Sequence, residues 1–231
     1  MKNHVKLGIL LIVLAGAACV LILTRPPEGE SAGTDTHGHE GEEAGHEGEG
    51  QAAGVKTPET VDFTSFKAQL PPAKGKRTRV RLDTGMGSVE VVLFDDITPR
   101  TVKNFLNLVD KGFYTNMIFH RVARGFYIQT GDPTGMGSGG TKIPWPGEIV
   151  PELIHNQPGV VAMVNSEANM SLGQFYITVR AEGSLDGRHS IFGQVVKGMD
   201  VVAAINGVLT DQKGRPISPV AFKGAEVLGQ E

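Results

Sequence analysis

Apolar and polar residues alternate along two short segments that begin near residue 79. Residues 79–83 and 88–94 are rich in β-branched and other apolar side chains in a mostly alternating pattern, and the connection between them reads TGMG. A period of two is typical of strands with one buried face, and a short glycine-containing connection is typical of a hairpin. The sequence therefore predicts a β-hairpin at this place.

A helical pattern follows the hairpin and is the clearest in the chain. Thr98 followed by Pro99 is typical of an N-cap and a first helical position, and Gly112 is typical of a helix end. A second, shorter helix is predicted over residues 199–205. In the first helix, apolar residues recur at the spacing i, i+3, i+4 and i+7, at Val102, Phe105, Leu106 and Val109.

Further short apolar runs lie between loops rich in glycine and proline. About seven short strands with turns between them and two helices fit a closed antiparallel barrel better than alternating βαβ units. The predicted fold class is mainly β with capping helices. The runs cover residues 126–130, 159–163, 174–179, 191–196 and 221–228.

Composition divides the 231 residues into three zones. Residues 1–25 are basic and apolar, and residues 26–54 contain eight carboxylates and no lysine or arginine. The remainder has ordinary globular composition and is nearly neutral, without the basic stripe of a nucleic-acid-binding protein. We therefore predict a terminal segment at 1–25, a disordered acidic linker at 26–73, a folded domain at 74–231, and no nucleic-acid partner.

The terminal segment contains an uncharged apolar run at residues 7–23, with Lys2 and Lys6 before it and Arg25 after it. As a helix the run spans about 26 Å, between the length of a signal-peptide core and that of a full membrane span. We favour a retained single-pass anchor. A signal peptide cleaved after an Ala-Gly-Ala site and a lipoprotein modified at Cys19 remain alternatives. The positive-inside rule places the folded domain outside the cytoplasmic membrane, in the periplasm or at the cell surface.

The linker has no apolar periodicity and repeats the tetrapeptide HEGE, which is typical of a solvated, disordered spacer. Its histidines stand among carboxylates, so binding of a divalent transition metal is a second interpretation. These histidines are His37, His39 and His46.

A different glycine-rich stretch, residues 135–140, matches the spacing G-x-G-x-x-G, but IPWP follows where a dinucleotide-binding helix must begin. We interpret this stretch as a loop.

Four motifs in the folded domain stand in one order: FHRVARGFYIQTGD at 119–132, MVNS at 163–166, GQFYI at 173–177 and LDGRHSIFG at 185–193. Together they closely resemble the cyclophilin family of peptidyl-prolyl cis/trans isomerases, and most of all its compact bacterial members. The resemblance extends over residues 78–229. It implies a closed eight-stranded antiparallel barrel capped by two helices, isomerase activity on X-Pro bonds without a cofactor, and proline-containing polypeptides as partners.

Carried over by position, the resemblance implies that Arg121 is the catalytic arginine. It implies substrate-binding roles for an apolar set and a polar set of residues on one face of the barrel. These are Phe126, Tyr127, Met163, Val164, Tyr176 and Leu185, together with Gln129, Asn165, Gln174 and His189. No metal ligand is expected among them.

The chain departs from the commonest family pattern at the rim of the site. Tyr127 replaces a methionine, Val164 an alanine and Tyr176 a phenylalanine, and Ser184 stands where a tryptophan is frequent. Since that tryptophan is a usual contact for cyclosporin in the family, weak cyclosporin binding is expected. Exported proteins are the expected substrates. Binding of proline peptides with little turnover, and metal handling by the linker, are the alternative functions.

Overall fold

The computed structural model describes residues 62, 63 and 65–231. Within them the chain is mainly β, and all the strand pairs are antiparallel. The elements are β1 (Thr78–Thr84), β2 (Gly87–Leu93), α1 (Pro99–Asp110), β3 (Met117–Ile118), β4 (Arg121–Ala123), β5 (Tyr127–Thr130), β6 (Trp145–Pro146), β7 (Val160–Asn165), β8 (Met170–Thr178), β9 (Ser190–Lys197), α2 (Met199–Asn206) and β10 (Ala221–Gln230).

The strands form one curled sheet in the order β3-β10-β1-β2-β9-β7-β8-β5-β4, and β6 pairs with β8 beside this path. The prediction of eight strands is therefore wrong, because the sheet contains ten. The predicted closure is not seen either, since no ladder joins the end strands β3 and β4 in the described part of the chain. A side-chain hydrogen bond, from Thr130 Oγ1 to the carbonyl of Ile118 at 3.0 Å, links β5 to β3 instead.

The predicted hairpin and both helices are confirmed. The β1–β2 ladder runs from Arg79 paired with Val92 to Thr84 paired with Gly87. Helix α1 begins at Pro99, but Thr98 does not cap it with its side chain. A distant carboxylate takes that role, because Glu148 accepts a hydrogen bond from the Thr101 amide at 2.9 Å.

The main core lies between the sheet and α1, and its largest members are aromatic. Phe105 of α1 packs within 5.1 to 5.7 Å of the rings of Tyr114, Phe175 and Phe192, measured between ring centroids. The fully buried Tyr114 hydroxyl donates to the carbonyl of Gly173 at 2.8 Å. Burial raises the pKa of Tyr114, so this hydroxyl keeps its proton and its hydrogen bond.

The chain just before β1 is attached to the domain by polar contacts, of which one ion pair is buried. Arg77 forms an ion pair with Asp96 at 2.9 Å, and each side chain is only 4% exposed. Arg77 also donates to the carbonyl of Pro71 at 2.9 Å, and the Gln69 amide donates to the Gln157 side chain at 2.9 Å. Part of the segment predicted as linker therefore lies along the domain; the boundary at residue 74 stays a prediction.

Two predictions fall on residues that the structure does not describe. They are the apolar run at 7–23 and the histidine cluster of the linker, His37, His39 and His46. From residue 65 to the C-terminus, neither helix has the length and apolar character needed to cross a membrane.

Candidate active site

The candidate site is an open cavity of about 360 Å³ on the outer face of strands β5, β7 and β8. Most residues predicted to bind substrate line it, together with residues of the glycine-rich stretch 135–140 and of the turn that follows β7. The predicted residues in its wall are Arg121, Tyr127, Gln129, Val164, Asn165, Gln174, Tyr176, Leu185 and His189.

Strand alternation assigns neighbouring residues to opposite sides of the sheet. On β8, Tyr176 packs in a cluster beside the cavity, whereas Phe175 and Ile177 pack in the main core. Met163 is fully buried in that core and does not line the cavity. Phe126 lies beside the cavity, with its ring 4.7 Å from the Tyr127 ring between centroids, and does not line it either.

Arg121 stands at the rim of the cavity, at the start of β4, where it is paired in register with Gln129 of β5. Its guanidinium carbon lies 5.6 Å from the centre of the Tyr127 ring, within the range of a cation–π contact. The exposed guanidinium makes no hydrogen bond or ion pair with another described residue. All five N–H donors of Arg121 are therefore available to a bound molecule.

One wall of the cavity is the glycine-rich loop at residues 135–140, and a carboxylate orders it. Asp132 accepts hydrogen bonds from the amides of Thr134, Gly137 and Gly139 at 2.6 to 3.0 Å. Burial of Asp132 acts to raise its pKa, but these hydrogen bonds outweigh it and hold the pKa below its usual range. The loop that sequence analysis excluded as a nucleotide site is thus a built part of this one.

Gln174 joins the loop to the sheet. Its amide nitrogen donates to the carbonyls of Gly137 and Gly139 at 3.0 and 2.7 Å, and its oxygen accepts from Gln129 at 2.8 Å. Both glutamines are nearly buried, at 7% exposure each. Gln129 and Gln174 therefore spend much of their hydrogen-bonding capacity inside the protein, where they give the polar wall a defined shape.

Asn165 and His189 connect the ends of β7 and β9. The Asn165 side-chain nitrogen donates to Asn169 and to Ser190, both at 2.9 Å, and the Asn165 amide donates to His189 Nδ1 at 3.2 Å. Burial lowers the pKa of His189, so the ring is neutral near pH 7. Because Nδ1 accepts, the proton lies on Nε2, which can donate to a ligand.

A buried polar chain lies behind the cavity wall, and sequence analysis did not find it. His155 Nδ1 is 2.7 Å from Asp186 Oδ1, and His155 Nε2 is 2.8 Å from the Tyr176 hydroxyl. Since a carboxylate only accepts, Nδ1 carries the proton and Nε2 accepts from Tyr176. Burial lowers the pKa of His155, although Asp186 acts in the opposite direction. The neutral histidine thus ties Tyr176 to the turn that carries Leu185.

The cavity wall also contains residues that the sequence analysis did not assign to a substrate site. Among the described residues, no group of three or more His, Cys, Asp or Glu side chains is arranged to hold a metal ion. The chemistry available at the site is therefore that of one free guanidinium, an apolar surface and several neutral hydrogen-bonding groups. The additional lining residues are Gly137, Ser138, Gly139, Ser166, Met170 and Leu172.

Comparison with known proteins identifies the class. Residues 79–227 match the family described as cyclophilin type peptidyl-prolyl cis-trans isomerase/CLD. A peptidyl-prolyl cis-trans isomerase of Arabidopsis thaliana is 40% identical over 158 residues, which cover 67% of this chain and 96% of that protein. A peptidyl-prolyl cis-trans isomerase-like 1 of Aspergillus niger is 42% identical over 65% of this chain and 95% of its own length. The chain belongs to the cyclophilin-type peptidyl-prolyl cis-trans isomerase family.

Solved structures agree with this assignment. A cyclophilin type peptidyl-prolyl cis-trans isomerase of Cryptosporidium parvum has a TM-score of 0.63 and 34% identity, over 65% of this chain and 97% of that one. Its structure in the presence of the dipeptide Ala-Pro gives a TM-score of 0.62 over 64% and 98% of the two chains. These relatives are eukaryotic, so the predicted likeness to compact bacterial members stays a prediction.

The hydrogen bond between Tyr176 and His155 predicts that the hydroxyls of two tyrosines at the site contribute differently to stability. Tyr176→Phe leaves His155 Nε2 buried without a donor, so we expect the free energy of unfolding to fall by about 1 to 3 kcal/mol. Tyr127→Phe is the matched control, because its hydroxyl makes no hydrogen bond in the described part of the chain, and should change stability by less than about 0.5 kcal/mol. Urea unfolding of both variants measures this; equal losses would contradict the role of His155.

Proposed function

We propose that the chain accelerates cis/trans isomerisation of X-Pro bonds in exported polypeptides and that Arg121 is its catalytic residue. The observation that carries the proposal is a guanidinium without a partner in the described residues, at the rim of a cavity with apolar walls. The cavity volume of about 360 Å³ is enough for a proline ring with its neighbouring peptide groups. The structure of a relative in the presence of Ala-Pro supports the choice of ligand.

The reaction is difficult because amide resonance gives the C–N bond double-bond character and a rotational barrier of about 18 to 20 kcal/mol. In the twisted transition state, resonance is lost and the prolyl nitrogen becomes pyramidal and basic. A guanidinium N–H that donates to this nitrogen binds the transition state more strongly than the planar substrate. Arg121 stays charged and presents several donors in a rigid fork, so it suits this role.

The remaining residues hold one side of the bond while the other rotates. Tyr127, Tyr176 and Leu185 supply the apolar surface against which the pyrrolidine ring packs. Gln129 and the Nε2–H of His189 face the cavity as hydrogen-bonding groups for the peptide backbone. Since these groups are fixed by contacts within the protein, little ordering is needed when substrate binds.

The proposed role of Arg121 predicts a selective loss of turnover. Arg121→Ala should lower kcat/KM for a proline-containing peptide by about 10²- to 10³-fold, the size seen when a transition-state donor is removed. Arg124→Ala is the matched control, because Arg124 is exposed nearby and does not line the cavity. NMR exchange spectroscopy measures the rates. If wild type and Arg121→Ala both bind the peptide but isomerise it at the same, uncatalysed rate, the chain is a proline-binding chaperone and not an enzyme.

Membrane anchoring and an extracytoplasmic location are part of the proposal and rest on the N-terminal sequence. The apolar run at 7–23 follows two lysines and precedes an acidic segment without basic residues. Uncatalysed X-Pro isomerisation takes tens to hundreds of seconds and can limit the folding of exported chains. We expect the full chain to remain in carbonate-washed membranes, with its C-terminal domain accessible to external protease. Release of a chain shortened at its N-terminus would show instead that the N-terminal segment is cleaved.

Cyclosporin binding is expected to be weak because of Ser184. This residue lies on the exposed turn Gly183–Leu185, where its hydroxyl donates to Glu182 at 2.6 Å. Loss of an indole N–H and its apolar area at this place should cost about 1 to 3 kcal/mol, or very roughly 5- to 150-fold in affinity. Tyr127 and Val164 alter the same rim, so Ser184→Trp should restore only part of that affinity.

Inhibition curves for wild type and Ser184→Trp measure this effect, with Ser218→Trp as a control for adding an exposed tryptophan away from the cavity. Low-nanomolar inhibition of the wild-type chain would contradict the prediction. The same holds if Ser184→Trp and Ser218→Trp are inhibited equally.

A further inference from the structure

A second open depression, of about 590 Å³, adjoins the candidate active site. The two share Arg121, Gln129 and the loop residues Gly137 and Ser138, so they lie on either side of the same arginine. A polypeptide with its proline in the first cavity can therefore extend past Arg121 into the second. The side chains that line the second depression therefore contact the substrate residues next to the proline.

The second depression is positively charged. Arg121, Lys213 and Arg215 line it, against one acidic side chain, Asp211. That carboxylate is directed to its own loop, because it accepts hydrogen bonds from the amides of Lys213 and Arg215 at 2.8 and 2.9 Å. No carboxylate forms an ion pair with any of the three cations in the described part of the chain.

The loop that carries the two additional cations is held against the catalytic strand. The Val122 amide donates to the carbonyl of Gly214 at 2.7 Å, and Arg215 donates to the carbonyl of Gly135 across the depression. Gly214 has a φ of +78°, and an added Cβ would stand 3.0 Å from the Val122 carbonyl oxygen. The close approach that glycine allows places Lys213 and Arg215 beside Arg121.

The floor of the depression adds no charge. His120 is 6% exposed, and neither of its ring nitrogens has a hydrogen-bond partner in the described residues. Burial lowers the pKa of His120, which keeps the ring neutral near pH 7. Asp132 lies near this histidine, but the backbone of the glycine-rich loop surrounds its carboxylate. The three cations therefore decide which side chain fits here.

We propose that this depression binds the carboxylate of an Asp or Glu that flanks the proline, so that the enzyme prefers acidic X-Pro segments. The inference rests on the proposed isomerase function and names its substrate class. Lys213 and Arg215 are the specificity residues: they hold the carboxylate away from Arg121, whose donors stay available for the prolyl nitrogen. An exposed guanidinium and ammonium attract an anion most strongly at low ionic strength.

The test compares peptides that differ only in a Glu or an isosteric Gln, placed in turn at each of the positions next to and one removed from the proline. NMR exchange spectroscopy with the full chain in detergent measures kcat/KM for each. We expect Glu to be preferred over Gln at one position by roughly 3- to 10-fold at low salt, the size expected from two exposed cations. The preference should largely disappear at about 0.5 M salt.

Lys213→Glu should abolish or reverse this preference, whereas Lys103→Glu, the same charge change on the exposed face of α1, should leave it intact. Equal rates for Glu and Gln at every position, or a preference that survives Lys213→Glu, would overturn the inference while isomerase activity stands. A preference for phosphoserine without one for Glu would overturn it as well. Absence of turnover for every peptide would instead remove the proposed function itself.

Discussion

The pairing of β5 with β8 is the constraint on which the site depends. Gln129 lies opposite Tyr176 in this ladder, so the two residues face the cavity together, and Ile128 lies opposite Ile177 in the core. A shift of one residue would exchange the two faces, placing Gln129 in the core and isoleucine at the cavity. The aromatic core around Phe175 prevents that shift, because it accepts only one set of side chains. The packing of the core thus sets the chemistry of the opposite face.

Several polar side chains around the cavity have hydrogen-bond partners inside the protein, whereas the Arg121 guanidinium has none among the described residues. Gln129, Gln174 and Asn165 are bonded to each other or to neighbouring loops and strands. In the part of the chain that the structure describes, the Arg121 guanidinium contacts the face of the Tyr127 ring and forms no hydrogen bond or ion pair. In the proposed function, fixed walls keep the cost of ordering low when a peptide binds, and the guanidinium, which has no partner among the described residues, keeps its donors for the transition state. The proposal thus assigns peptide binding to groups that are fixed by internal hydrogen bonds and catalysis to the unpaired guanidinium.

Periodicity and four ordered motifs predicted the long elements and the class, but β3, β4 and β6 are too short to have a measurable period. The closed eight-stranded barrel came from the resemblance, and the ten-stranded sheet corrects it, because closure depends on how strand ends meet. Met163 was placed in the site by its motif, yet it packs in the core, and a register shift between Met163 and Asn165 brings both Val164 and Asn165 to the cavity. A period of two could not have shown this, because it would place Met163 and Asn165 on the same face. His155 was not predictable, because its partners Tyr176 and Asp186 are 21 and 31 residues away and meet it only in the fold.

The polar chain behind Tyr176 shows what a tyrosine requires in an apolar pocket wall. A hydroxyl buried there costs free energy unless it finds a partner, and burial also raises the pKa of Tyr176, so the group stays a neutral donor. His155 supplies the acceptor, and Asp186 orients His155 through its ring and its backbone amide, both at 2.7 Å. Because Asp186 follows Leu185 directly, the same contacts also hold the turn that brings Leu185 to the cavity wall. One buried histidine thereby links Tyr176 to the turn of Leu185, the two residues that the proposed function sets against the proline ring.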